Sequence, residues 1–159
     1  MRAVFALMRT PRVHTSVNAA RICACATMLL CLPLFADTHD QIVDLFASMA
    51  AALSDVNASG FMQPFDKNTP GYEKLKGQIS TLLVGTEISS SVESVKDDGG
   101  ESTRTVDLDW YLQVRALSQA GAIATRREII HCELRKEGKN WKIVSLQPLE
   151  FFAPPKLDK

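Results

Sequence analysis

Asp107, Asp109, Tyr111 and Arg115 alternate with apolar residues in the stretch Thr105-Val-Asp-Leu-Asp-Trp-Tyr-Leu-Gln-Val-Arg115. A later alternating run carries His131. Such residues are the raw material of acid–base catalysis. A carboxylate whose pKa is raised by burial can take a proton near neutral pH, and a nearby imidazole or phenol can steady the charge that develops. Asp109 is the candidate base, with His131 and Tyr111 its candidate assistants. All three would have to face a cavity. Alternation puts Val106, Leu108, Trp110, Leu112 and Val114 on one face of a strand. Asp107, Asp109, Tyr111, Gln113 and Arg115 fall on the other. Turning the apolar set inward gains roughly 25 cal/mol per Å2, whereas an unpaired buried carboxylate is costly. The acids are therefore expected on the outer face. Only a β-bulge, which swaps the faces, would restore the catalytic arrangement.

Other chemistries find less support. Outside residues 1–36 the potential soft metal ligands are His39, His131 and Cys132, and the adjacent pair His131-Cys132 points to opposite faces of a strand. No His-x-x-x-His, Cys-x-x-Cys or phosphate-binding glycine loop is present, so neither a metal nor another cofactor is expected. Asp97-Asp-Gly-Gly100 reads as a turn, since the later ligands of a calcium loop are missing. Lys74, Lys76, Arg126 and Arg127 are too few and too offset by acids to suggest nucleic acid.

The elements that would position these residues divide into helices and then strands. Thr38-His-Asp-Gln41 has capping-box spacing, followed by Ile42, Leu45, Phe46, Met49 and Leu53 on one helical face. This predicts a first helix over residues 38–54. Asp55–Phe65 predicts a short helix or turn stopped by Pro64. Thr69-Pro70 predicts a third helix, with the threonine as cap and Tyr72, Leu75, Ile79, Leu82 and Leu83 as its buried stripe. From Thr86 the period becomes two. Turns at 97–100, 119–121 and 137–140 separate runs at 86–96, 103–116, 122–136 and 140–152, as in antiparallel hairpins. These runs are long enough that the sheet should bend around the helices.

Length and charge add the setting. At 159 residues the chain can hold one domain. Residues 1–36 carry Arg2, Arg9, Arg12 and Arg21 and no acid, and end in the apolar run Ile22–Phe35. This reads as a cleavable export signal, with a domain over 37–152 and a frayed tail over 153–159. An uncleaved segment would instead tether the protein to a membrane. Removing residues 1–36 takes 4 of the 18 basic residues, leaving 14 against 18 acids, a net charge of −4. It also takes Cys23, Cys25 and Cys31, so Cys132 remains without an intrachain partner and is read as a small buried hydrophobe. A periplasmic or secreted bacterial protein fits this pattern.

The chain resembles the nuclear transport factor 2-like, or SnoaL-like, cone family over almost all of residues 37–152. The resemblance rests on the element order, on Trp141-Lys-Ile143 after a Glu-Gly-Lys turn, and on Pro148-Leu-Glu-Phe-Phe152 at the close. It implies an α+β fold, with N-terminal helices packed on a strongly curved four-stranded antiparallel sheet. It also implies that two subunits can pack through the outer sheet face, with Trp110 and Tyr111 as aromatic anchors. Steroid-isomerase members place an oxyanion-donating tyrosine on the first long helix, where this sequence has Ile42, Leu45, Phe46, Met49 and Leu53. Dehydratase members use an Asp–His arrangement, which Asp109 and His131 supply only if both point inward.

Two functions are weighed. The favoured one is non-catalytic binding of a small apolar ligand or a protein partner by a homodimer. Phe46, Met49, Phe61, Met62, Phe65, Trp110 and Trp141 are then core or pocket-lining residues. The alternative is a SnoaL-like lyase or isomerase with Asp109 as general base.

Overall fold

The computed structural model describes residues 34–117 and 122–155. The expected export signal lies outside the described residues apart from its last three. Among the described residues no helix is long and apolar enough to cross a membrane.

Helix α1 (Leu34–Ser54) buries Ile42, Phe46, Met49 and Leu53, the stripe its spacing predicts. It begins four residues before the predicted start. Leu34-Phe-Ala-Asp37 contains no helix breaker, so Thr38 is an interior residue, 6% exposed, rather than a cap. At the other end, the Asn57 amide donates to the Ala52 carbonyl at 2.8 Å and the Val56 amide to the Leu53 carbonyl at 3.2 Å. These bonds close the helix in a Schellman turn. Asn57 then caps α2 (Ala58–Met62), its Oδ1 accepting from the Gly60 amide at 2.9 Å.

Helix α3 (Tyr72–Leu82) starts three residues beyond the predicted threonine cap. The Thr69 hydroxyl is diverted, donating at 2.8 Å to the carbonyl of Ile143. Gly71 stands at the cap position instead, at φ 79°, where any side chain would collide with Leu149.

Strands β1 (Thr86–Gly99), β2 (Thr103–Ala116), β3 (Ile123–Glu137) and β4 (Asn140–Gln147) form a curved antiparallel meander in the order β1-β2-β3-β4. Register shifts bend β1 between Ser94 and Lys96, and β4 where Glu133↔Ser145 gives way to Leu134↔Ile143. The central β2–β3 pairing runs unbroken from Thr103↔Arg135 to Arg115↔Ile123. The last predicted run, 140–152, is a strand only to Gln147. Pro148 has no amide to continue the ladder, and a 3-10 turn (Leu149–Phe152) carries Phe151 and Phe152 back into the core. The outer edge of β4 is covered: the Ile143 amide donates to Pro64 and the Asp66 amide to Ile143, both at 2.9 Å.

The core is an aromatic cluster between the helices and the inner sheet face. Trp110 meets Phe152 edge-on at 5.2 Å, Phe152 meets Phe61 at 5.3 Å and Phe151 at 5.0 Å, and Phe61 meets Phe65 at 5.8 Å. Such pairs add to plain burial through their quadrupoles. Trp110 is fully buried, its indole N–H donating to the Ser90 hydroxyl at 2.8 Å.

Candidate functional site

The unbroken β2–β3 register decides where the acid–base candidates go. Without a bulge, Asp107, Asp109, Tyr111, Arg127 and His131 all lie on the outer face, opposite the buried Leu108, Trp110, Ile130 and Cys132. Arg127 grips Asp109 with two nitrogens, Nε at 2.9 Å and Nη2 at 2.8 Å from the carboxylate oxygens. His131 Nδ1 lies 2.7 Å from Asp107 Oδ1, directly across the ladder. Asp109 and His131 therefore have different partners, and the inward Asp–His arrangement is not formed. The hydrogen bond from Arg127 holds the Asp109 carboxyl below the usual carboxylate range. A general base working near neutrality needs the opposite shift. Tyr111, half-buried, stands across from Arg127 on the same outer face.

Cys132 is fully buried, and loss of solvation pushes its thiol far up, away from the thiolate form. Among the described residues, no group of three or more His, Cys, Asp or Glu is arranged to hold a metal ion.

The residues expected to line a pocket are divided by the structure. Phe46, Met49, Phe61 and Trp110 are at most 1% exposed and belong to the sealed core. Trp110 thus cannot serve as an anchor on the outer face, because its whole side chain is committed to the inner one. Trp141 lines a hollow of about 360 Å3 between α1 and the β3–β4 turn, together with Gln41, Asp44 and Lys139. The Lys136 ammonium lies 5.4 Å from the Trp141 ring centroid, a cation–π contact.

Met62 and Phe65 reach a larger opening. Between α2 and α3 lies a groove of about 490 Å3, with Met62, Phe65 and Tyr72 among its lining and Lys67, Lys76 and Lys142 around them. This volume lies in the range of small-molecule sites. Tyr72, Lys76 and Ser80, all lining it, recur every fourth residue along one ridge of α3. Lys142 reaches in from β4, its Nζ donating to the Gln63 carbonyl at 2.9 Å. Tyr72, expected in the buried stripe of α3, is only partly buried and lines the groove, and no expectation from the sequence brought the lysines to it. The fourfold spacing of Tyr72, Lys76 and Ser80 was the available signal.

No protein-family model matches the sequence, and no curated protein does. Solved structures do match in shape. A conserved protein from Planctomyces limnophilus superposes with a TM-score of 0.63 at 12% identity, over 70% of this chain and 94% of that one. An NTF2-like protein with a cystatin-like fold from Novosphingobium aromaticivorans gives 0.55 at 11% identity, over 71% and 81%. A hexachlorocyclohexane dehydrochlorinase of type 2 gives 0.57 at 9% identity, over 70% and 83%. At such identities the likeness speaks for the fold, and one fold carries enzymes and non-enzymes alike. By element order, sheet topology and these neighbours, the chain has the nuclear transport factor 2-like, cystatin-like cone fold.

Proposed function

We propose that the protein is an exported, non-catalytic cone-fold binding protein that takes a small apolar ligand in the α2–α3 groove and acts as a homodimer through its outer sheet face. One observation carries the binding reading. Aromatic side chains fill the cone interior, while Met62, Phe65 and Tyr72 line a groove open to solvent. An apolar floor reached from solvent gains free energy when a ligand covers it. The acid–base candidates speak for binding over catalysis, since Asp109 and His131 are held by Arg127 and Asp107 away from the helices. Export rests on the basic and apolar composition of residues 1–36.

The neutral dye Nile red provides a test. Its fluorescence should rise on titration with the protein. Ser80→Trp, which fills the groove from an exposed rim position, should weaken that binding at least fivefold while leaving the circular dichroism spectrum unchanged. Binding that persists undiminished in a folded Ser80→Trp variant rules the groove out.

A further inference from the structure

We propose that the ligand of the α2–α3 groove is an amphipathic monocarboxylate, an apolar body bearing one anionic head. This rests on the reading of the groove as an apolar-ligand site and names the class of ligand it takes. Three cations from three separate parts of the chain converge there: Lys67 from the loop before α3, Lys76 from α3 and Lys142 from β4. No aspartate or glutamate lines the groove. This is a local excess of positive charge on a chain whose residues 37–159 carry a net −4.

The groove lysines differ from the cations that the fold uses for ion pairs, although Arg126, bound to backbone carbonyls, Lys136, over the Trp141 ring, and Lys139 also lack a carboxylate partner among the described residues. Arg115, Arg127 and Arg135 on the sheet have carboxylate partners, as do Lys74 and Lys96. Among the described residues, Lys67 and Lys76 enter no ion pair. The acid next to Lys67 in sequence, Asp66, is already engaged by Arg135 at 2.8 Å and by the Asn68 amide at 2.9 Å. Met62 and Phe65, 7% and 4% exposed, supply the apolar floor beneath these charges. An apolar floor flanked by Lys67 and Lys76, and by Lys142 whose ammonium also donates to the Gln63 carbonyl, complements a molecule with a hydrocarbon body and a carboxylate. A neutral ligand of the same shape forgoes the charge attraction. A cationic one is repelled.

The test is isothermal titration calorimetry of the chain with octanoate, 1-octanol and octyltrimethylammonium, at low ionic strength and neutral pH. Octanoate should bind at least tenfold tighter than octanol, and octyltrimethylammonium weakest of the three. Exposed ion pairs are each worth up to about a fivefold effect. Lys67→Gln/Lys76→Gln should therefore bring the octanoate-to-octanol ratio down to about fivefold or less, what Lys142 alone can supply. Raising salt to 0.5 M should compress the same ratio, since exposed charges are screened. Octanol binding as tightly as octanoate, or an unchanged ratio in the double variant, overturns the carboxylate assignment and leaves the apolar site standing. Failure of all three ligands to bind overturns the groove reading itself.

Discussion

Val56 adopts a left-handed backbone conformation, φ 56°, in the turn that closes α1. This is the position at which glycine is favoured, because a branched Cβ crowds the backbone there. The Val56 side chain is half exposed and contributes little packing in return. Val56→Gly should therefore stabilise the fold, relief of the strain outweighing the extra freedom of the unfolded chain. We expect a gain of about 1 kcal/mol and a melting temperature roughly 3 °C higher by calorimetry. A lower melting temperature would show that the turn is not strained. At Asp109 the effect depends on pH. Hydrogen bonding from Arg127 lowers its folded pKa, so in that pH window the unfolded chain binds more protons than the folded one. The contribution is present above the unfolded value, about 3.9, and is lost as pH falls through the lower folded value. In urea titrations at pH 7, 5 and 3, Asp109→Asn should lose stability at pH 7 and show less acid sensitivity than the parent. Equal acid sensitivity in both would mean that the Arg127 pair does not persist in solution.

Among the elements, the 3-10 turn Leu149–Phe152 contributes more to the core than its length suggests. Phe152 is fully buried and touches Phe61, Phe151 and Trp110, and Arg126 fastens the turn by donating to the carbonyls of Phe151 at 2.7 Å and Ala153 at 2.5 Å. Phe152→Ala should cost about 3–5 kcal/mol, read as a lower urea midpoint with the far-ultraviolet spectrum retained. A loss below 1 kcal/mol would mean that the turn is not docked. Phe152 also illustrates what could be read in advance. Its apolar run was visible, but its turning away from β4 depends on Pro148 ending the ladder. The faces of β2 and β3 were legible because period two is local and burial enforces it. Helix starts were less so, since the Thr69 hydroxyl bonds a strand 74 residues away. The groove was least legible. Lys67, Lys76 and Lys142 converge only because loop 64–66 pairs with Ile143, and no local pattern encodes that pairing.

At the scale of the whole molecule, the proposed homodimer makes a prediction about the outer sheet face. Several of its polar side chains are held within one chain: Asp107 by a hydrogen bond with His131, Asp109 by Arg127, and Glu87 by Arg115. Pinned pairs of mixed sign allow two copies to meet about a twofold axis without net like-charge repulsion. Within this polar field Ile129 is 40% exposed and stands opposite Asp109 on β2, with half-buried Tyr111 nearby. An apolar centre with an aromatic neighbour and a polar rim is the composition of a protein interface. This composition suits the proposed homodimer, in which the face would pair with itself. Sedimentation equilibrium at micromolar concentration should give the mass of two chains. Ile129→Arg places a like charge against itself across the twofold axis and should shift the equilibrium at least tenfold toward monomer. Its circular dichroism should stay unchanged, because Ile129 is on the surface of the single chain. A parent protein that sediments as monomer across the concentration range would refute the homodimer. Dimerisation that tolerates Ile129→Arg would place the interface on another surface.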